Sequence, residues 1–216
     1  MKITWIGHSS FLIEDSNGRK LLTDPFDPTI GYSIYEGAAD IITISHHHFD
    51  HDYVKGVKGN PEICDKLGDF NLCGIPINGL HSFHDKVKGA KRGENTIYIW
   101  EMDNFRLCHL GDLGHTLLPE DIDKIGKIDV LFIPVGGNFT IDGSEASTVA
   151  KAIKSHIVIP MHYKTPLLSF PLNGVEAFLT EMKNGENINS SSLILKEKLQ
   201  GYNNVKLLKI FELSTN

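Results

Sequence analysis

Residues 41–51 read Ile-Ile-Thr-Ile-Ser-His-His-His-Phe-Asp-His. A β-branched apolar run, the pattern of a strand buried on both faces, enters four histidines and an aspartate without a break. This junction constrains the fold more than any other feature. Such a strand must end where its polar residues find partners, because burying them unpaired costs roughly 1–3 kcal/mol each. Side chains alternate in extended chain, so His46 and His48 share one side and His47 points the other way. Asp50 and His51 follow where the chain reverses. Four side chains of the kind that bind zinc can thus converge at the carboxyl end of one strand.

Other apolar runs fall around this junction. Ile3 to Trp5, Phe11 to Ile13 and Leu21 to Leu22 read as strands, with Asn17-Gly18 as a hairpin turn. Ile75 to Phe83, Thr96 to Trp100 and Phe105 to Leu110 also read as strands, the last two joined at Asp103-Asn104. After residue 118 strands and helices alternate. Pro119-Glu120-Asp121 starts a helix, Val130 to Ile133 is a strand ended by Pro134, and Asp142 to Glu145 resembles a capping box. Ala146, Val149, Ala150 and Ile153 form a core-facing helical stripe. Ile157 to Ile159 is a strand stopped at Pro160, followed by a helix near 175–182 and a strand over 205–211. Gly185 to Ser192 reads as an exposed loop. The order predicts an α/β or α+β protein with a large β core.

Composition narrows the function. The 216 residues suit one domain over 1–216. Lys plus Arg is 21 and Asp plus Glu is 27, so the chain is acidic at −6 and no nucleic-acid partner is expected. Cys64, Cys73 and Cys108 lack CxxC spacing and read as plain thiols, which suits a cytoplasmic protein. No apolar stretch reaches the ~18 residues of a membrane span, so no membrane is expected. The oligomeric state is left open.

Three later strand ends share the grammar of the first: Leu80-His81-Ser82-Phe83-His84-Asp85, His109-Leu110-Gly111-Asp112 and Pro160-Met161-His162. Ligand-type residues spread over several strand ends suggest a catalytic metal site. His46-x-His48-x-Asp50-His51 resembles the HxHxDH signature of the metallo-β-lactamase superfamily. Ile6-Gly7-His8-Ser9-Ser10, Thr23-Asp24-Pro25, Leu110 to His115, Pro134-Val135-Gly136-Gly137 and Pro160-Met161-His162-Tyr163 resemble one branch of it. That branch is the small stand-alone metal-dependent hydrolases related to ascorbate-6-phosphate lactonase and N-acylphosphatidylethanolamine phospholipase D. The match covers residues 3 to about 165.

The resemblance implies a four-layer αββα sandwich, two mixed β-sheets flanked by helices. It implies two divalent metal ions, one on His46, His48 and His84, the other on Asp50, His51 and His162, with Asp112 between them. His84 is preferred to His81 because the adjacent Asp85 would orient its imidazole. Zinc is expected from the histidine at position 48, where diiron relatives carry glutamate; Mn2+, Fe2+ and Ni2+ are the alternatives. The implied reaction is hydrolysis of an ester, lactone or phosphodiester in a small anionic molecule by metal-activated water. Asp50 is expected to orient the nucleophile, and His115 to donate a proton or meet the oxyanion. His8, Asp24, Gly136 and Gly137 are expected substrate contacts; for His8, Asp24, His109 and His115 the alternative is hydrogen bonding behind the ligands. The loop 26–37 reads either as a flap over the site or as a loop packed on its own aromatics. Other readings are a nuclease of the same superfamily and a non-catalytic metal-binding protein.

Overall fold

β-branched and aromatic residues fit a pleated, half-buried surface, and the apolar runs become strands. The computed structural model describes residues 1–197 and 200–210. The strands are β1 (Lys2–Gly7), β2 (Ser10–Glu14), β3 (Lys20–Thr23), β4 (Ile41–Thr43), β5 (Glu62–Cys64), β6 (Gly68–Leu72), β7 (Ile75–Phe83), β8 (Glu94–Met102), β9 (Phe105–His109), β10 (Val130–Pro134), β11 (Ile157–Met161), β12 (Glu186–Asn187), β13 (Ser192–Ile194) and β14 (Asn204–Leu207). The helices are α1 (Pro119–Ile125), α2 (Gly143–Ile153) and α3 (Glu176–Met182).

Two mixed sheets result. One runs β13-β1-β2-β3-β4-β5 and the other β12-β14-β11-β10-β9-β8-β7-β6. Neighbours pair antiparallel from β13 to β3, then parallel from β3 to β5. In the second sheet β6 to β9 are antiparallel, and β9, β10, β11, β14 and β12 follow in parallel.

Alternation decides what each face covers. Leu21 pairs in register with Ile41, and both join the main core with Phe11, Trp100 and Phe132. Leu22 pairs with Ile42, and both face the opposite side, packing with Ala39, Ile44 and the partly buried Val54. Val54 lies in a short 3-10 turn, so irregular chain covers that face of the six-stranded sheet. On the second sheet α2 packs over β10, and α1 and α3 pack on α2. The stripe expected on α2 is buried, and Asp142 caps the helix by accepting the N–H groups of Ser144 and Glu145. Burial of each such leucine or isoleucine stabilises the fold by about 1.5–3 kcal/mol. The two mixed sheets and their helices match the expected αββα sandwich, with irregular chain standing in for helices over the six-stranded sheet.

Several boundaries differ from expectation. β11 continues through Pro160 to Met161. A proline loses one donor but keeps an extended φ and its carbonyl, so parallel pairing with Ile133 survives. The polar stretch 185–192 contains β12 and the start of β13. Both are short partners of strands already in place, so pairing overrides their composition. β5 and β6 arise the same way, as outer strands of the two sheets. The late strand is β14, ending at Leu207; Phe211 lies outside the described residues.

Segment 26–37 is packed. Phe26, Ile30 and Tyr32 are buried with Leu168 and Leu172, and the Tyr32 hydroxyl lies 2.6 Å from the Thr165 hydroxyl. A Cβ on Gly7 would meet the Tyr32 ring at 2.7 Å, so the missing side chain lets this segment close over β1.

Candidate metal centre

Tight turns at strand ends aim the site's side chains. After β4 the chain folds on itself, with the N–H groups of His51 and Asp52 donating to the carbonyl of His48. His46, Asp50 and His51 are buried by this turn, whereas the His47 side chain is 63% exposed beside Asp52 and Asp65. His8, Asp24 and His162 follow β1, β3 and β11 in left-handed backbone, with φ of 51°, 39° and 51°. A non-glycine residue spends roughly 1–2 kcal/mol there, a cost tolerated best by Asn, Asp and His. Here that turn points each side chain across the strand ends.

Three groups of potential donors converge. They are His46, His48 and His84; His8, Asp50, His51 and His162; and His46, His51 and Asp112, each set with its donor atoms within 4.8 Å of one another. Asp112 sits at the junction. Its Oδ1 is 3.3 Å from His51 Nε2, and its Oδ2 is 3.3 Å from His84 Nε2 and 3.1 Å from His162 Nε2. The His46 ring centroid is 4.5 Å from that of His48 and 4.7 Å from that of His84. All seven residues expected to ligate metal are therefore gathered at one end of the sandwich. His81 faces outward beside Glu94, 40% exposed.

The chemistry of these atoms fits cations. His46 Nε2, His51 Nε2 and Asp112 Oδ1 are buried without a hydrogen-bond partner. Buried polar atoms are normally paired, so such a concentration calls for a ligand. Burial holds the His46 pKa down at about 2, leaving a neutral imidazole with a free lone pair. Burial also opposes charge on His51, but Asp112 and Asp50 outweigh it and raise its pKa well above the usual histidine value. The two carboxylates therefore demand a positive charge between them, a demand that a divalent ion also answers. Burial raises Asp112, yet His162 and His51 hold it well below the carboxylate range.

Behind the donors lies a hydrogen-bonded layer. Asp24 takes His51 Nδ1 at 3.0 Å and the Ser45 hydroxyl at 2.6 Å, and the Ser45 hydroxyl is 3.0 Å from His46 Nδ1. His109 donates from Nε2 to the Ser9 carbonyl and accepts the Gly111 N–H at Nδ1.

A cavity of about 390 Å³ opens onto the cluster, lined by His48, Asp50, His84, Asp112 and His162 with Phe49, Arg92, Phe139 and Phe170. Several expected contacts lie elsewhere. His8 is fully buried behind Asp50, with its Nε2 3.2 Å from Asp50 Oδ2. Asp24 is fully buried beneath His51. Gly137 donates its N–H to the Ile141 carbonyl, so it offers no free donor to an anion. Gly136 lies where a Cβ would be 2.1 Å from the His162 carbonyl oxygen, so it makes room for the His162 turn. His115 accepts the Phe83 N–H at Nε2 and donates from Nδ1 to the Thr116 carbonyl. It lines a separate cavity of about 600 Å³ with Leu80, Leu117 and Leu118, away from the donor cluster. The expected proton donor is thus absent from the metal-side cavity.

Asp85 also differs from expectation. Its carboxylate accepts the N–H groups of Val87, Gly89, Lys91 and Arg92 at 2.8–2.9 Å and shapes the loop instead of orienting His84. Sequence reading missed Arg92 and Phe139, which carry no motif; Phe49 was visible only as a residue inside the histidine cluster, and Phe170 only as part of the segment 165–171, which reads as a wall beside His162.

A family model described as a beta-lactamase superfamily domain matches residues 2–162. A metal-dependent hydrolase of Carboxydothermus hydrogenoformans is 34% identical over 194 residues, 76% of this chain and 85% of that protein. One of Archaeoglobus fulgidus is 32% identical over 205 residues, 80% of this chain and 85% of that protein. The crystal structure of a candidate zinc-dependent hydrolase from Thermotoga maritima superposes with a TM-score of 0.82 at 40% identity, over 96% of this chain and 97% of that one.

Proposed function

The chain belongs to the metallo-β-lactamase superfamily, among its small stand-alone metal-dependent hydrolases, and from that premise we propose that it is a dinuclear zinc hydrolase of a small anionic ester, lactone or phosphodiester. The observation that carries this reading is the convergence of the His51, His84 and His162 Nε2 atoms on Asp112, with His46 Nε2, His51 Nε2 and Asp112 Oδ1 buried and unpartnered.

In this reading His46, His48 and His84 would hold one ion, and Asp50, His51 and His162 the other, with Asp112 available to both. When bound, such ions supply Lewis acidity and make hydroxide available at neutral pH. Neutral imidazoles are donors that suit zinc. The chain's own groups do the rest. His8 holds one oxygen of Asp50, which fixes the carboxylate at the cavity wall. Burial opposes the charge on Asp50, but His51 and His8 keep it ionised, which suits it to orient an attacking water. Asp24 and Ser45 lock the rings of His51 and His46 from behind. Phe49, Phe139 and Phe170 line the cavity with apolar rings beside the donors.

The test is metal content by mass spectrometry on protein purified without chelator, beside His48→Ala, followed by turnover on lactones, aryl esters and phosphodiesters. About two transition-metal ions per chain, fewer in the variant, with zinc predominant and turnover lost on chelation, is the expected result. Absence of bound metal even after zinc is added back would overturn the reading.

A further inference from the structure

We propose that Arg92 is the substrate-selecting residue of this site, receiving a second anionic group, a phosphate or carboxylate, carried by the substrate beside the bond that is cut. The inference rests on the hydrolase reading above and adds the recognition of the substrate's remote end.

Arg92 stands on the loop between β7 and β8, in the wall of the metal-side cavity with His48, Asp50 and His84. It also lines an adjoining cavity of about 380 Å³ with Lys91, Asn138 and Asn173. The two spaces meet at Arg92 and Phe139, the residues outside the donor cluster that line both. A molecule with its reacting group at the histidines and its tail in the polar space must pass this guanidinium.

The guanidinium is held ready. Its Cζ lies 5.1 Å from the centre of the Phe139 ring, an arrangement that orients the planar fork without using its N–H donors. No carboxylate lies within ion-pair distance of it among the described residues, whereas Arg19 pairs with Asp15 at 2.7 Å and Lys86 with Glu145. The acids of the adjoining cavity are engaged elsewhere. Asp85 accepts four backbone N–H groups, Asp142 caps α2, and Glu145 binds Lys86. The bond from the Arg92 N–H to Asp85 is 2.8 Å and anchors the backbone from which the side chain projects. A guanidinium with free donors beside aromatic walls matches an oxyanion, which it grips in two places.

The test is calorimetric titration of wild type, Arg92→Ala and Arg92→Lys with phenylphosphonate, benzoate and the neutral benzyl alcohol. Each protein is used as purified and again after metal removal, with metal content measured throughout. Arg92→Ala is expected to weaken binding of at least one anion about tenfold or more in both forms. Arg92→Lys recovers part of that loss, and benzyl alcohol binds all three proteins alike. The anion that loses more names the tail group. Equal anion binding by wild type and Arg92→Ala, a loss shared by benzyl alcohol, or no anion binding by wild type would overturn the proposal. The metal-free titration reads Arg92 alone, so it stands or falls apart from the hydrolase reading, which fails on metal content and turnover.

Discussion

Oδ2 of Asp24 lies 3.0 Å from Nδ1 of His51, and both side chains are fully buried. The pair turns the other ring nitrogen of His51 toward Asp112 and Asp50, at 3.3 and 3.6 Å. A carboxylate behind a ligating histidine fixes its ring and raises its basicity.

Asp24→Asn should therefore weaken metal binding by about 10- to 100-fold while leaving the fold intact. Competition against a chromogenic chelator measures the affinity and circular dichroism checks the fold. Unchanged affinity would remove Asp24 from the metal site.

Asp85 organises the loop that carries Arg92. Burial pushes its pKa up, but the N–H groups of Arg92, Lys91, Val87 and Gly89 outweigh this and hold it at about 2. A depressed carboxylate stabilises the fold fully above its unfolded value of about 3.9, and that stability is lost as pH falls through about 2. Asp85→Asn should lower the melting temperature by roughly 5 °C at pH 7, and the gap to wild type should close as pH falls from about 4 to 2. Thermal melts across that range measure it; a gap constant down to pH 2 would contradict the assignment.

His115 has both ring nitrogens bonded and faces a different cavity. His115→Ala should keep wild-type metal content and about the same turnover on any ester the enzyme cleaves. A fall of about tenfold or more in kcat would return His115 to the reaction.

Gly136 packs directly under the His162 carbonyl. A methyl group there meets backbone, which cannot move aside cheaply. Gly136→Ala should cost about 1–3 kcal/mol of stability and lower metal content by displacing His162. Denaturant unfolding and mass spectrometry read the two effects separately, and an alanine variant with unchanged stability would argue against this packing.

Much of the site is legible in the chain because local rules suffice. The alternation at His46, His47 and His48 assigns their sides, and the apolar run Ile41 to Ile44 marks where they must emerge. His84 is harder. Asp85 drew attention to it, but that carboxylate serves the backbone of the following loop, and what sets His84 apart from His81 is that β7 ends at Phe83. The strand β12 and the edge strands β5 and β6 escaped reading because they are held by neighbours distant in sequence, not by their own apolar pattern.

The sequence by itself determined the family and the candidate donors, because each is carried by short motifs at strand ends. Only tertiary structure decided the rest. It buried Asp24 behind His51, turned His115 away, and brought Phe49, Arg92, Phe139 and Phe170 from four separate segments into one wall. The physical reason is that a pocket wall is made by loops converging on a packed core, and its members share no periodicity along the chain.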